Sequence, residues 1–322
     1  MRFRIPLVAL FAGALLAMEA SAQGLSARPI RLVVPYAPGG NVDISARIVG
    51  PGLSELTKQT VIVENRPGGG GNVGAALVAK ATPDGHTLLV GSSGPLSVNP
   101  VVFKDIPYDS VKDFAPVSLV QIVPLVVLVS PKFEVGSVKE LVARAKAAPG
   151  KITMASAGSG TTNHFAIELL SALTGAKFLH VPYKGSGPAL GELLGGQVNT
   201  MVDQLTSSMG FIKDGKLRVI AVTAAKRVSA LPTVPTLAES GVPNYEASTY
   251  LGLLAPAGTP REVIGKLNAA LRKVVETPAV QERFRGLGAD PGASTPEEFA
   301  RMIREELVKW RALAKSANLQ FN

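Results

Sequence analysis

The chain predicts an α/β protein of two similar lobes, on three observations. A strand, glycine turn and helix recur along it, the order of these units is repeated in a second half, and an apolar strand joins the halves. The first half opens with residues 32–34, which lead through Gly39-Gly40 to a helix from about Asp43. Residues 61–64 lead through a glycine run at 68–71 to a helix from about Asn72, and a Pro83-Asp84-Gly85 turn precedes a third strand over 87–90. The later half follows the same plan. Residues 152–155 lead through Ala157-Gly158-Ser159-Gly160 to a helix from about Thr162; residues 178–181 lead through Gly185-Ser186-Gly187 to a short helix; residues 198–202 supply a third strand. Two βαβαβ halves imply two parallel sheets covered by helices on both faces.

Between the halves runs VPLVVLVSP (123–131), apolar throughout and suited to carry the chain from one lobe to the other. The return path contains Pro232, Pro235 and Pro243, a stiff linker, before the strand-like TYLGLLAP. Two closing helices follow. Thr259-Pro260-Arg261-Glu262 and Thr295-Pro296-Glu297-Glu298 each read as a capping box with Pro at the first helical position. Val263, Ile264, Leu267, Leu271 and Val274, then Phe299, Met302, Ile303 and Trp310, recur at helical spacing and form core stripes. The predicted division is 23–124 with 230–322 for the first lobe and 125–229 for the second.

The first residues are an address. Arg2 and Arg4 precede an apolar run over 5–18, and Ala20-Ser21-Ala22 follows. A basic start, a short apolar core and an A-x-A site make a secretory signal over 1–22. The run falls short of the roughly 20 residues that span a bilayer, so a membrane anchor is the weaker reading. The expected location is the periplasm. With no cysteine in the chain there is no disulfide scaffold, lipoprotein anchor or thiolate nucleophile. The formal charge of +9 invites a nucleic-acid reading, but the basic residues are scattered beside Glu on helix faces and aromatics are only 5%. That pattern is a solvated surface, one that attracts anions, with no nucleic-acid partner.

Several motifs carry less than their shapes suggest. Gly69-Gly70-Gly71-Asn72-Val73-Gly74 matches G-x-G-x-x-G after a strand, yet the following strand ends in Gly91-Ser92-Ser93, without the acidic residue that would hold a ribose. No cofactor is expected. No Ser sits in G-x-S-x-G, and His86, His164 and His180 fit neither H-E-x-x-H nor a metal-ligand spacing, so neither catalysis nor a metal site is expected. His86 and His180 read as structural. His164, in the first turn of its helix, either donates to an anion or ties the preceding loop.

The glycine turns themselves carry the function. A helix N-terminus presents unpaired N–H groups and a partial positive charge, and glycine lets a ligand approach that backbone. No Lys or Arg lies between Leu32 and Ala46, so the first turn would hold an anion through main-chain donors. Gly39, Gly40, Gly158, Gly160 and Thr161 are the expected carboxylate anchors, from equivalent places in two lobes. Asp43 either caps its helix or accepts from a ligand ammonium or hydroxyl, and Asp203 poses the same choice.

The segments VPYAPGGNVD, VIVENRPGGGGNVGA, PDGHTLL, SAGSGTTNHFA, HVPYKGSGPAL, LPTVPTLAESGVP and GLLAPAGTP, in this order, resemble the substrate-binding proteins of tripartite tricarboxylate transporters, the Bug family. The resemblance spans about 29–319. It implies a two-lobed type II periplasmic-binding-protein fold that closes on a carboxylate (an organic acid, a di- or tricarboxylate or an acidic amino acid) and delivers it to membrane permease subunits, working as a monomer. The alternative is a sensing subunit that presents its closed form to a membrane sensor kinase. The resemblance places the ligand between 36–43 and 156–164, making Pro38, Ser156 and Ser159 site residues; Tyr36, Asn72, Ser92, His164, Tyr183 and Asp203 would line the cleft. The family pattern often has Ala at Pro38, and Thr or Ser at Val42, so these departures lie in the recognition loop. If Ala20-Ser21-Ala22 is the cleavage site, protein recovered from the periplasm begins at Gln23. N-terminal sequencing checks this, and exported protein that retains Met1 would refute it.

Overall fold

One strand order occurs twice. The computed structural model describes residues 28–319, so the expected signal and its cleavage site lie outside the described residues. In the first lobe β1 (Ile30–Val34) lies between β2 (Val61–Asn65) and β3 (Thr87–Ser92), all parallel. In the second, β5 (Thr153–Ser156) lies between β6 (Leu179–Pro182) and β7 (Thr200–Gln204), again all parallel. The crossing helices are α1 (Asn41–Thr57) and α2 (Asn72–Ala79) in the first lobe. A short α3 (Asn99–Val102) follows β3. The second lobe has α4 (Val138–Ala147), α5 (Thr162–Thr174), α6 (Ser186–Gly195) and α7 (Leu205–Lys213). The glycine turns therefore fall at the carboxyl ends of parallel strands, the position at which such sheets bind ligands.

The sheets are mixed, where the repeat alone predicts parallel ones. β4 (Phe114–Val129) is a single strand of 16 residues that starts before the expected apolar segment and serves both lobes. Its first part pairs antiparallel with β9 (Ser248–Pro256), which pairs in turn with β3. Its second part pairs antiparallel with β7 and with β8 (Arg218–Val222). The junction falls at Pro124-Leu125. There Thr223 ties the two crossings together: its hydroxyl accepts from the Leu125 amide at 2.9 Å and donates to the Ala247 carbonyl at 2.6 Å.

The chain returns to the first lobe at Ser248, not near 230. The Pro-rich segment packs on the second lobe, because Leu237, Val242 and Tyr245 are apolar and join the core around Val127 and Phe165. Tyr245 donates to the Ala166 carbonyl at 2.6 Å. Three closing helices follow instead of two: α8 (Arg261–Glu276), α9 (Pro278–Gly286) and, after a two-residue strand β10 (Asp290–Pro291), α10 (Pro296–Ser316). The capping box at Thr295 and Glu298 forms in full. The one read at Thr259 does not. Pro260 takes the N-cap position, Thr259 turns its hydroxyl to the Pro256 carbonyl, and Glu262 pairs with Lys266.

Helix α10 makes a third link between lobes. Phe299 and Ile303 pack in the first-lobe core with Tyr250, whereas Trp310 meets Phe165 of the second lobe edge to face at 4.8 Å. Among the described residues, no helix is long and apolar enough to cross a membrane.

Candidate functional site

The lobes touch along a line of glycines. The Ala37 amide donates to the Lys184 carbonyl across the cleft at 2.8 Å. A Cβ on Gly70 would strike the Ser159 carbonyl oxygen, one on Gly160 would strike Phe103 and Asn99, and one on Gly187 would strike the Pro38 carbonyl oxygen. This is a closed arrangement. Only backbones without side chains allow lobes to meet so nearly.

Inside that line lies a small cavity lined by Tyr36, Gly40, Asn41, Val42, Ser92, Ala157, Thr161, Thr162, Ser186 and Gln204. No charged side chain is among them. Three helices start here: α1 at Gly40, α5 at Thr161 and α6 at Gly185. In α1 the first backbone bond runs from Ile44 to Gly40 at 2.9 Å, which leaves the amides of Gly40, Asn41, Val42 and Asp43 without an intrahelical acceptor. In α5 the Thr161 hydroxyl accepts from His164, leaving the amides of Thr162 and Asn163. In α6 the cap Gly185 has no side chain, leaving those of Ser186 and Gly187, while Pro188 has no N–H to satisfy.

Of the residues expected at the site, Tyr36, Gly40, Ser92 and Thr161 line the cavity. The others frame it. The Gly39 amide turns away from the cavity to the Asp43 carboxylate at 3.0 Å. The Gly158 amide goes to Ser156 Oγ at 3.1 Å and the Gly160 amide to His164 Nδ1 at 3.2 Å. The Thr161 amide goes to the Gly158 carbonyl at 3.3 Å, so four of the five expected anchors spend their N–H groups within their own loops. Neighbours supply the free donors.

Asp43 is a loop tie. It is 4% exposed and also receives Arg47 Nη2 at 2.9 Å and Asn65 Nδ2 at 3.0 Å. Burial alone would raise its carboxyl, but hydrogen bonds from Arg47, Gly39 and Asn65 outweigh that and hold it below the usual carboxylate range. His164 likewise ties its loop. It stacks on His180 with ring centres 3.8 Å apart, and burial, then His164 itself, push the His180 imidazole down to about 4. Ser156 links the two elements through its bond to His180 Nε2 at 2.6 Å. Asn72 accepts from Asn99 and from the Tyr108 hydroxyl, both at 2.6 Å, behind the glycine line. Pro38 and Ser159 supply carbonyl groups to that line, and the Tyr183 amide pairs with Ser156 at 3.1 Å. Tyr36, pushed up to about 12 by burial, keeps its proton and lies 3.3 Å from Ser92 Oγ.

Asp203 stands one layer behind the cavity. It accepts from Ser186 Oγ at 2.5 Å and from Ser207 Oγ at 2.6 Å, which orients the Ser186 hydroxyl. Asn41, Val42, Ala157, Ser186 and Gln204 are the lining residues that sequence reasoning did not single out as contacts. The Gly185-Ser186-Gly187 turn signals Ser186, since it repeats the glycine turn of the other loops. Gln204 has no such signal; it is a polar residue that ends a strand.

Two α/β lobes joined by shared strands, closed on a cavity ringed by helix N-termini, define a solute-binding protein. The chain belongs to the family described as tripartite tricarboxylate transporter family receptor, which it matches over residues 45–319. Protein BugT of Bordetella pertussis is 38% identical over 93% of this chain and 92% of its own. Among solved structures, Rpa4515 of R. palustris with adipate is 35% identical, with a TM-score of 0.88 over 92% of this chain and 99% of the other. MatC of Rhodopseudomonas palustris with bound malate is 33% identical, with a TM-score of 0.86 over 89% and 99%. The fold is that of type II periplasmic binding proteins, and the family consists of substrate-binding proteins, not enzymes.

The Asp203 carboxyl is pushed up by burial to about 6 from 3.8, which outweighs the hydrogen bonds it accepts. The ionised form is therefore a cost to the folded state, full above about pH 6 and relieved as pH falls towards 4. Asp203→Asn keeps an acceptor for Ser186, and its new NH2 can donate to Ser207, whose hydroxyl lies 2.8 Å from the Gln204 carbonyl. The variant is expected to gain about 1–2 kcal/mol at pH 7, with the gain shrinking towards pH 4. Urea unfolding at both values measures it. An equal loss at both would show that the charge is not the cost.

Proposed function

We propose that this chain captures a small carboxylate between its lobes in the periplasm and delivers it to the permease subunits of a tripartite tricarboxylate transporter. One observation carries the reading: the unpaired amides of three helix N-termini meet at a cavity with no charged side chain. Main-chain donors of this kind suit an anion, because each gains from the helix dipole and from a charge-assisted hydrogen bond. The relatives with adipate and malate support a carboxylate as that anion. Anchors are then the amides of Gly40 and its neighbours, of Thr162, and of Ser186.

Calorimetry with adipate, malate and their diamides tests the anion. Replacing carboxylate by amide removes charge-assisted bonds worth roughly 1.5–3 kcal/mol, so about a 10- to 150-fold loss is expected. Amides that bind as well as the acids would end the carboxylate reading. Uptake of the bound acid should also stop in a strain lacking the permease subunits, and uptake that continues would sever the link to transport.

Closure has its own test. Gly187 sits in the first turn of α6 at a φ that alanine can adopt, so Gly187→Ala adds a Cβ that clashes with Pro38 across the cleft, while its helix-propensity gain is offset by the Pro188 that follows. The open protein is expected to keep its stability, while affinity for the bound acid falls at least about tenfold, or 1.4 kcal/mol. Urea unfolding with calorimetry separates these. Wild-type affinity in this variant would show that binding does not require the closed contact.

A further inference from the structure

One lining residue holds a hydrogen-bond donor that nothing in the protein uses. Asn41, the first residue of α1, is 2% exposed, and its Nδ2 has no partner among the described residues. Its Oδ1 is occupied. Gln121 of β4 donates from Nε2 to Asn41 Oδ1 at 2.7 Å and to Ser45 Oγ at 2.7 Å, and Ser45 passes its own proton to the Asn41 carbonyl at 2.7 Å. This chain of donors fixes the orientation of the amide. Were Asn41 and Gln121 both flipped, Ser45 would have to give one proton to both Gln121 and the Asn41 carbonyl. Every contact among these three side chains has its own proton only with Nδ2 turned away from β4; Gln121 Oε1 is then also without a partner among the described residues, but of the two amides it is Asn41 that lines the cavity. A buried donor without an acceptor is costly, so an unpaired one at a binding cavity selects a ligand that supplies the acceptor.

The place of Asn41 says where that acceptor must be. Its side chain springs from the same turn whose amides face the cavity, so its Nδ2 reaches an atom beside the anchored carboxylate and not one at the far end of the ligand. The class of acid can be narrowed further. Asp203 lies directly behind Ser186, so a second negative charge at this place would meet a buried carboxylate with no cation among the lining residues. A neutral oxygen avoids that repulsion.

Resting on the carboxylate reading above, we propose that Asn41, held by Gln121, is the residue that makes this protein prefer 2-hydroxy or 2-oxo acids over the corresponding unsubstituted acids. The Asn41 amide donates to the oxygen on the carbon next to the carboxylate. Gln121 is a positioning residue, since it acts through Asn41.

Calorimetry on matched pairs tests the proposal: succinate with malate, glutarate with 2-oxoglutarate, and propionate with lactate. Wild-type protein is expected to prefer the oxygen-bearing member of each pair it binds by about tenfold or more. In Asn41→Ala the preference should fall to near unity, whatever the change in affinity for the parent acid. Asn41→Asp keeps the shape and the acceptor for Gln121 but replaces the free donor by an anion, so it should reverse the preference for 2-oxoglutarate over glutarate, whereas a 2-hydroxyl can donate to the new carboxylate. Gln121→Met should reduce the preference part of the way. Circular dichroism confirms folding, and the Asp isostere serves if the Ala variant does not fold. Equal affinity within each pair for wild type, an undiminished preference in Asn41→Ala, or an undiminished preference for 2-oxoglutarate in Asn41→Asp overturns the role of Asn41 while leaving the carboxylate site standing. If none of these acids binds, nor adipate, the carboxylate reading falls and takes this inference with it.

Discussion

Every feature of the cleft follows from one constraint: the first amides of a helix have no partner within it and must find one elsewhere. Most helices meet the need with a capping side chain, and this chain does so where no ligand is involved, at Ser137 of α4 and at Thr295 of α10. At α1 and α6 the cap positions are Gly40 and Gly185, which have no side chain to offer. The acceptors close by are engaged. Asp43 reaches back to Gly39 and sideways to Arg47, and His164 serves Gly160. Donors are thus left at the cavity because α1 and α6 have glycine caps, the Thr161 cap of α5 serves His164 alone, and the nearby acceptors are occupied by loop ties.

The same glycines satisfy a second demand. A cleft that closes on a small molecule must bring two backbones together, and Gly70, Gly160 and Gly187 do so where any Cβ would collide. Closure is confined by the connections. β4 is continuous through both lobes, the second crossing is bound to it at Thr223, and α10 spans both with Phe299 and Trp310. Such links favour rotation about the Pro124-Leu125 junction over free separation, which suits hinge closure.

The fold was largely legible in the sequence, because hydrophobic runs and glycine turns recur in the same order in both halves and because the ordered motifs resemble one family. Features that depend on packing between distant segments were not legible. The Pro-rich run reads locally as a linker, yet Leu237 and Tyr245 find the second-lobe core and postpone the return to Ser248. Thr259 reads as a cap until Pro260 takes that position. At the cavity, the glycine turns pointed to loops that border it, but most of the amides singled out turn into their own loops. Whether Gly39 or Gly158 offers its N–H depends on where Asp43 and Ser156 turn, and no spacing encodes that. Asn41 escaped notice for a similar reason, since its free donor exists only because Gln121, distant in sequence, takes its oxygen.

Charge is kept at two distances from the ligand. The chain carries a formal +9, a field that raises the local concentration of anions around the protein. Within the cavity there is no cation, and the nearest buried charge, Asp203, is negative. An Arg or Lys inside would bind any carboxylate strongly and leave little to distinguish one acid from another. Neutral donors in fixed positions bind more weakly one by one, so affinity requires that several be met together by a ligand of the right shape. Because those donors come from both lobes, opening separates them, and the ligand loses its partners in the same motion that exposes it to water. On the carboxylate reading proposed above, attraction from the surface and recognition from the main chain together give a protein that gathers anions broadly and releases its ligand on opening.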